Sequence, residues 1–329
     1  MASISNNVKI NFNDFSLLIY VVGGQNGNGE GILILFLRKE QVIHTISIDC
    51  CKAKVKDKEC NLIDALLRHH NAKKIDCFVW THPHDDHSEG LDKLIETYYK
   101  KGCIGIIPKQ IYGTDNDIVN IKPLSKQVLK KFNSKFSKKN LKSIDCQCQE
   151  KRLVHSFNLE DSLSDQIKTV RLYCLTPIDF KLDEKRRKNA KISDSQLNEI
   201  SLSLILDVDG YCFFFGGDVP DTVLKETEKS SLYSCRWIKI PHHGSYSTVK
   251  SIQYFNRNID SAVTTSFLKQ DLPKDDVLKK YKNITSQIYI TQKSQKDVHD
   301  FGMVSYAYSF KDSNVQLKVV RYGNAYKYV

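Results

Sequence analysis

Three histidines and two aspartates lie within the six residues from His82 to His87, in the run Thr81-His82-Pro83-His84-Asp85-Asp86-His87. Imidazole nitrogens and carboxylate oxygens are ligands of zinc, manganese and iron in proteins. The alternative is a polar loop in which the histidines occur by chance. The whole chain has only ten histidines, so three at this spacing make chance a poor explanation. The run therefore predicts a metal site whose candidate ligands are His82, His84, Asp86 and His87.

The elements around this run suit a metal-binding loop. The apolar segment Ile75–Trp80 reads as a buried strand, and Gly90–Tyr99 has the apolar spacing of an amphipathic helix. A loop at the end of a buried strand can aim several side chains at one point. A strand before the motif and a helix after it are the context that such a motif needs.

Other strand ends carry polar groups as well. These polar groups are Asp49, Asp218 and the pair His242-His243, and each of them follows an apolar, β-rich run. Ligands scattered over several strand ends are typical of an open catalytic metal site, whereas a structural zinc site more often uses closely spaced cysteines. The ten cysteines form no C-x-x-C pair. The sequence therefore predicts a catalytic rather than a structural metal centre.

The remaining pattern predicts a chain rich in strands. Residues 61–70, Leu124–Asn140 and Val219–Lys229 have helical spacing, and Ser201–Val208 with Tyr211–Phe215 form a hairpin around Asp209-Gly210. Further strands are predicted near the end of the chain: Ser261–Thr265, Gln287–Thr291, Val304–Phe310 and Val315–Tyr322. Two strand-rich halves suggest a two-layered sandwich of sheets.

Length and charge narrow the possible functions. The 329 residues are interpreted as a single domain, 1–329, with an insertion at 108–165. Lys and Arg number 49 against 38 Asp and Glu, which gives a net charge of +11. This excess favours an acidic partner such as nucleic acid or a nucleotide, although a lysine-rich surface also keeps a protein soluble. The basic run 185–188 is open to the same two interpretations.

The sequence predicts a cytoplasmic protein without a membrane segment. Residues 1–13 lack the basic start and apolar core of a signal peptide, and apolar runs such as Phe15–Val22 are far shorter than a membrane span. The cysteines read as small buried apolar residues in a reducing compartment. No feature of the sequence identifies a protein partner.

The motifs together resemble those of the metallo-β-lactamase superfamily. They are Asp49, the H-x-H-x-D-H run, Gly-Gly-Asp218 and Pro-His-His-Gly-Ser at 241–245. The last is similar to the metal-hydrolase domain of the ComEC competence proteins, and the segments 198–202 and 175–177 match that group as well. The resemblance covers most of the chain. It implies an α/β fold, the αββα metallo-β-lactamase sandwich, in which two mixed β-sheets are flanked by helices.

The resemblance also implies a site with two divalent metal ions, Zn²⁺ or Mn²⁺. Its metal ligands would be His82, His84, Asp86, His87, Asp218 and His243. His82 and His84 would hold one ion, Asp218 would bridge, and the others would hold the second ion. Asp86, Asp218 and His242 would take part in catalysis. Asp49, Asn198 and Ser245 would support the ligands or contact the substrate.

Two departures from the family pattern affect this centre. Many members supply one more histidine between the second and fourth motifs, and here the only histidine between His87 and Asp218 is His155. Asn198, Asp194 or water could take that coordination position. A histidine-proline pair of the ComEC group also appears here as Leu272-Pro273, so a candidate proton donor is absent.

These features together predict a metal-dependent phosphodiesterase or nuclease that acts on nucleic acid through a hydroxide activated by two metals. One alternative is a phosphodiesterase for cyclic or other small nucleotides, with 108–165 as a lid. Hydrolysis of a lactam or thioester fits the superfamily but leaves the basic charge unexplained. The alternative outside catalysis is a weakly active metal-binding subunit of a larger system.

Overall fold

Two mixed sheets form the centre of the computed structural model, which describes residues 15–24, 29–55, 58–111, 121–160, 167–178, 193–293, 301–311 and 314–329. The first sheet has the strand order β17 (Asn314–Gly323), β16 (Gly302–Lys311), β1 (Phe15–Gly23), β2 (Glu30–Arg38), β3 (Gln41–Ile48), β6 (Cys77–Val79), β7 (Ile104–Pro108) and β8 (Leu141–Ile144). The second has the order β18 (Tyr326–Tyr328), β15 (Ile288–Ile290), β14 (Ser261–Thr264), β13 (Cys235–Lys239), β12 (Tyr211–Phe215), β11 (Leu204–Val208), β10 (Ile167–Cys174) and β9 (Arg152–Glu160). A small hairpin joins β4 (Lys52–Val55) to β5 (Lys58–Asn61).

Helices cover the outer faces of the two sheets. Those against the first sheet are α1 (Leu62–His69), α2 (Asp85–Ser88), α3 (Leu91–Tyr98) and α4 (Pro123–Lys135). Those against the second sheet are α5 (Asp221–Leu224), α6 (Lys229–Tyr233) and α7 (Asp275–Tyr281). Short 3₁₀ helices lie at Lys109–Ile111, Asp194–Ile200, Pro241–Gly244, Tyr246–Thr248, Lys250–Tyr254 and Leu268–Gln270. None of the helices within the described ranges is long and apolar enough to cross a membrane.

Strand β2 shows why the chain forms layers. It is apolar on both faces, because Ile32, Ile34 and Phe36 pack into the core between the sheets, and the alternate residues Leu33 and Leu35 pack under the helices. A strand that is buried on both faces has this continuous apolar sequence. Aromatic pairs such as Phe213 with Tyr308 and Trp237 with Tyr306 join the two sheets across the central core.

The observed layers confirm the predicted αββα sandwich of two mixed sheets flanked by helices. The helices predicted at 61–70 and Gly90–Tyr99 are present, and the helix predicted at Leu124–Asn140 ends earlier, at Lys135. The description of 108–165 as an insertion stays a prediction. Its described residues supply α4 and one edge strand to each sheet.

The prediction of one helix over Val219–Lys229 is wrong. Two short helices, α5 and α6, stand there instead. The hydroxyl of Thr227 donates to the carbonyl of Leu224, and the Glu228 carboxylate accepts from the backbone amides of Ser230 and Ser231. These side chains satisfy backbone groups at a helix end and a new helix start, so the chain breaks where the apolar spacing alone continues.

Parallel pairing brings the polar strand ends to one edge of the sandwich. Strands β3 and β6 are parallel in the first sheet, and β12 and β13 are parallel in the second. The carboxyl ends of neighbouring parallel strands face the same edge, where ligands bind in open α/β sheets. The residues that follow these four strands are therefore placed to meet.

Candidate metal centre

Two short turns hold the motif residues at this edge. Strand β6 runs through Trp80 and Thr81 into helix α2, which carries Asp86 and His87. Strand β13 runs into the 3₁₀ helix Pro241–Gly244. There His242 and His243 both have left-handed backbone angles, with φ of 45° and 49°. Such angles in residues other than glycine cost about 1–3 kcal/mol each and cluster at functional sites.

Two glycines in the motifs are required by their surroundings. Gly217 has φ of 51°, and a Cβ there would lie 2.6 Å from the carbonyl oxygen of Leu202. Gly244 has φ of 73°, and its Cβ would lie 2.8 Å from the Cβ of Pro273. These close approaches explain why glycine precedes Asp218 and follows His243. They also place the Leu272-Pro273 segment against the histidine turn.

Two histidines and two carboxylates converge at the centre of the site. His87 Nε2 lies 3.4 Å from Asp218 Oδ1 and 3.6 Å from Asp86 Oδ2. His243 Nε2 lies 3.3 Å from Asp86 Oδ2 and 3.5 Å from Asp218 Oδ2. The two sheets each contribute half of this group. The structure thus brings together the four residues that the resemblance assigned around the second ion.

His82 and His84 form a second group beside the first. His82 Nε2 lies 2.9 Å from His84 Nδ1 and 3.8 Å from Asp218 Oδ2. These two histidines and Asp218 each offer a ligand atom, and the three atoms lie within 4.8 Å of one another. Asp218 belongs to both groups, which is the position that the resemblance implies for a bridging residue.

Asp49 binds the side of the His87 ring that faces away from Asp86 and Asp218. Its Oδ2 accepts a hydrogen bond from His87 Nδ1 at 2.7 Å and from the Thr81 hydroxyl at 2.5 Å, and its Oδ1 accepts from the Thr81 amide at 2.7 Å. The carboxylate form accepts all three bonds. Because the Nδ1 proton of His87 is committed to Asp49, Nε2 is the ring atom that faces Asp86 and Asp218.

The same acid fixes the ring of His82 through Thr81. The Thr81 hydroxyl has one proton, and it is donated to Asp49. The contact of 3.0 Å between this hydroxyl and His82 Nδ1 is therefore a donation from the ring N–H to the oxygen. His82 Nε2 is left without a proton and faces His84 and Asp218. One buried carboxylate thus orients two candidate ligands.

The cluster fits a divalent metal ion. The buried atoms His87 Nε2, His243 Nε2 and Asp218 Oδ1 have no hydrogen-bond partner among the described residues. Buried polar atoms without partners are uncommon and costly, unless an ion or a water completes them. Imidazole nitrogens together with carboxylate oxygens suit zinc and manganese. The donor set, the burial and the unpaired atoms all agree with metal binding.

The electrostatics of the centre favour positive charge. Burial lowers the pKa of His243, but the charge of Asp218 and the closeness of both carboxylates to Nε2 outweigh burial and raise it to about 9. Burial also lowers the pKa of His87, which the charges of Asp218, Asp86 and Asp49 raise well above its ordinary value. In a metal-free protein these rings hold protons, which a divalent cation replaces. Metal affinity should therefore fall as the pH falls.

The pKa values of the two carboxylates shift in the opposite direction, downwards. Burial raises the pKa of Asp218, but the charges of His243 and His87 outweigh it and hold the pKa well below the ordinary value. Burial also raises the pKa of Asp86, but the positive charges of His87 and His243 outweigh it and lower the pKa below its ordinary value. His82 differs: burial and the neighbouring rings of His87 and His84 lower its pKa far below the ordinary value, so this ring is neutral.

The other residues predicted for the site lie beside the cluster. His242 Nε2 lies 3.0 Å from Asn198 Nδ2, and His242 Nδ1 lies 2.8 Å from Ser247 Oγ. Ser245 caps the next 3₁₀ helix by accepting from the Ser247 amide. These residues form a polar rim next to His243. The side chain of Asp194 and the basic run 185–188 lie outside the described residues.

Two residues bear on the missing ligand position: His155, the only histidine between His87 and Asp218, and Asn198, one of the candidates for that position. His155 lies on β9, where its Nε2 is 3.0 Å from His44 Nε2, far from the motif loop along the sandwich. The amide nitrogen of Asn198 faces His242, whereas its buried Oδ1 has no hydrogen-bond partner among the described residues. Counting only His, Cys, Asp and Glu side chains within the described ranges, the group at His82 and His84 has three ligand atoms, the third from Asp218.

Two charged residues of this region escaped the sequence analysis. Glu30 is 1% exposed, and one of its oxygens joins His87, Asp218 and His243 in a group of ligand atoms within 4.8 Å of one another. Lys239 is completely buried and forms an ion pair with Glu30. Each stands at one end of a mainly apolar strand. This position is a signal in the sequence, because charged residues are rarely buried unless they are paired.

No protein-family model and no curated protein matches this sequence. A solved diphosphatase of the PhnP family is similar with 13% identity and a TM-score of 0.41, over 89% of this chain and 98% of that chain. The metallo-beta-lactamase fold protein YhfI from Bacillus subtilis is similar with 13% identity and a TM-score of 0.39, over 86% of this chain and 97% of that chain. The chemistry of the centre is therefore inferred from its own residues and their distances.

Proposed function

We propose that this chain is a metal-dependent hydrolase that cleaves phosphodiester bonds in nucleic acid. The observation that carries the proposal is the convergence of buried, unpaired ligand atoms at one edge of the sandwich, His87 Nε2, His243 Nε2 and Asp218 Oδ1. All six candidate ligands lie in the short segments that follow β6, β12 and β13, which the packed core holds in place. Preorganised sites of this kind are what metal-assisted hydrolysis requires.

The donor set has room for two ions. His82 and His84 would hold one ion with Asp218, and His87, His243 and Asp86 would hold the other with Asp218. Bound divalent ions supply an acidified water and stabilise charge on the oxygens of a phosphoryl group. Zn²⁺ and Mn²⁺ both suit the mixture of imidazole and carboxylate ligands.

The residues around the ligands can position substrate and move protons. The side chain of Asp86 is 17% exposed against 4% for Asp218, so Asp86 is the carboxylate that an incoming water meets first. Its low pKa keeps it ionised and able to accept a hydrogen bond from that water. His242, Asn198 and Ser245 line the adjacent rim, where they can donate to phosphate oxygens.

The charge of the chain supports a polyanionic substrate. A net charge of +11 attracts phosphate backbones over long range and raises the rate of encounter. Hydrolysis of an uncharged lactam or thioester would leave this excess unused. A nuclease is therefore the activity that uses both the centre and the surface charge.

A substrate panel tests the proposal. Plasmid DNA, single-stranded DNA, RNA and cyclic nucleotides are incubated with the metal-free protein after addition of Mn²⁺, Zn²⁺ or Mg²⁺. We expect cleavage of the polymers with Mn²⁺ or Zn²⁺ and its loss in His84→Ala and Asp218→Asn. Cleavage of cyclic nucleotides alone would instead assign the small-nucleotide activity.

Matched variants outside the centre control for general damage. His69→Ala removes an exposed histidine at the end of α1, and Asp209→Asn changes an exposed turn carboxylate. Both should retain wild-type cleavage. Cleavage that survives in His84→Ala and in Asp218→Asn would overturn the proposal, as would a wild-type protein that hydrolyses none of the substrates with any of the three metals.

A further inference from the structure

A buried ion pair lies behind His243 and joins the two sheets. Glu30 begins β2 in the first sheet, and Lys239 ends β13 in the second. Both are almost completely buried, with exposed fractions of 1% and 0%. Removing two charges from water is costly, so a pair in this position calls for a reason beyond stability.

Thr265 connects this pair to His243. Its hydroxyl donates to Glu30 Oε2 at 2.6 Å and lies 2.8 Å from His243 Nδ1. A hydroxyl has one proton, and here it is committed to the carboxylate. The His243 ring must therefore donate its Nδ1 proton to the threonine oxygen. Nε2 is left as the ring atom that faces Asp86 and Asp218.

We propose that Glu30, Lys239 and Thr265 are positioning residues that fix the orientation of His243 for metal binding. Glu30 Oε2 lies 3.7 Å from His243 Nδ1, too far for a direct hydrogen bond, so Thr265 is the link between them. The arrangement parallels the one on the opposite side, where Asp49 holds His87 directly and His82 through Thr81.

The ion pair with Lys239 explains why Glu30 supports His243 through Thr265 and is not itself a metal ligand. Its ammonium group pairs with the same oxygen, Oε2, that accepts from Thr265. A cation already stands beside this carboxylate, which disfavours a second cation there. The pair thus presents a neutral support to Thr265, and the negative charge at the centre comes from Asp86 and Asp218.

The test separates positioning from folding, and it rests on the metal centre of the proposed function but not on any substrate. Zn²⁺ affinity is measured by competition with a chelator, and thermal unfolding is measured on the metal-free protein. Thr265→Val should lower zinc affinity about 10- to 100-fold, as loss of the group that orients a histidine ligand does. Thr265→Ser keeps the hydroxyl and should retain wild-type affinity.

Thr227→Val is the matched control, because Thr227 is buried and its hydroxyl donates to the carbonyl of Leu224 away from the centre. It should bind zinc like the wild type. Wild-type affinity in Thr265→Val, or an equal loss in Thr227→Val, would overturn the proposal. A wild type that binds no zinc would overturn it together with the metal centre, whereas a wild type that binds zinc but hydrolyses nothing would overturn only the proposed activity.

Discussion

Asp49 shows how one residue organises much of this centre. It is fully buried, follows β3 with φ of 54°, and accepts three hydrogen bonds. Through them it holds His87 directly and His82 by way of Thr81. A fully buried side chain therefore decides which nitrogen each histidine turns towards the centre.

Replacing Asp49 by asparagine tests this role. The amide is nearly the same size, but its NH₂ group would face the N–H of His87 or the hydroxyl of Thr81, which are donors themselves. We expect Asp49→Asn to lower zinc affinity about 10- to 100-fold in a chelator competition. Asp209→Asn, in the exposed hairpin turn, is the control. Equal affinities of the two variants would show that Asp49 does not orient the ligands.

The Glu30–Lys239 pair predicts a strong effect on stability. Lys239→Met leaves a buried carboxylate without a counter-charge and should lower the free energy of unfolding by about 3–5 kcal/mol, measured with urea on the metal-free protein. The double variant Glu30→Met with Lys239→Met should recover much of the loss. Lys279→Met, which breaks an exposed ion pair on α7, should leave stability near that of the wild type. A Lys239→Met protein as stable as the wild type would contradict this prediction.

At the scale of single residues, the sequence pointed to candidate ligands but not to all of the residues that hold them. The histidine run and the carboxylates after strands were visible because their types and spacing are rare. Thr81 and Thr265 were not, because a threonine next to a motif or in a strand has no distinguishing pattern. Their importance comes from one hydroxyl proton and the direction in which it is donated, which only the folded arrangement defines.

Two elements from different sheets meet at His44 and His155. His44 lies on β3, five residues before Asp49, which places it about 16 Å along the strand from the centre at about 3.3 Å per residue. Its Nε2 lies 3.0 Å from His155 Nε2 on β9, and Phe157 stacks on the His44 ring. This contact joins the sheets at the end of the sandwich away from the metal centre.

The pair predicts acid sensitivity with a defined sign. Burial lowers the pKa of His44 from 6.5 to about 3, with Asp76 opposing and His155 and Lys74 assisting. Burial, assisted by Lys142 and opposed by Asp76, lowers the pKa of His155 to about 4. Protonation therefore favours the unfolded chain. The stabilising effect of the neutral rings is complete above the unfolded pKa of 6.5 and is lost as the pH falls towards these folded values.

Urea unfolding at several pH values, from about pH 7 to about pH 4, measures this effect. His44→Gln does not titrate, so its stability should decline less steeply with falling pH than that of the wild type. His69→Gln, at the exposed end of α1, should decline as the wild type does. Identical slopes for His44→Gln and the wild type would refute the assignment.

At the scale of elements, periodicity located most helices and strands but not their ends. The helix predicted over Val219–Lys229 was divided because Thr227 and Glu228 satisfy backbone groups at the break. The cysteines behave as the sequence suggested, since all ten are free thiols and eight are buried. Apolar spacing reports which face is buried, whereas local hydrogen bonds decide where an element stops.

For the whole molecule, the net charge predicts a salt effect on the proposed nuclease activity. Phosphate contacts release counterions, so binding of a DNA oligonucleotide should weaken steeply between about 50 mM and 200 mM salt. Hydrolysis of a small phosphodiester at the same centre should change far less. Titration of labelled DNA at several salt concentrations measures the slope. A DNA affinity independent of salt would contradict a phosphate-binding surface.

The sequence alone determined which residues could bind a metal, because ligand chemistry belongs to side-chain types and the H-x-H-x-D-H spacing keeps four of them within one loop. It also determined the layered architecture, because strands that are apolar on both faces must be covered on both sides. The tertiary structure decided what the sequence could not: β16, near the end of the chain, pairs with β1 near its start, and Glu30 of one sheet meets Lys239 of the other. Such contacts depend on how distant segments of the chain pack. The residues behind His243 therefore come together only when the two sheets pack around their common core.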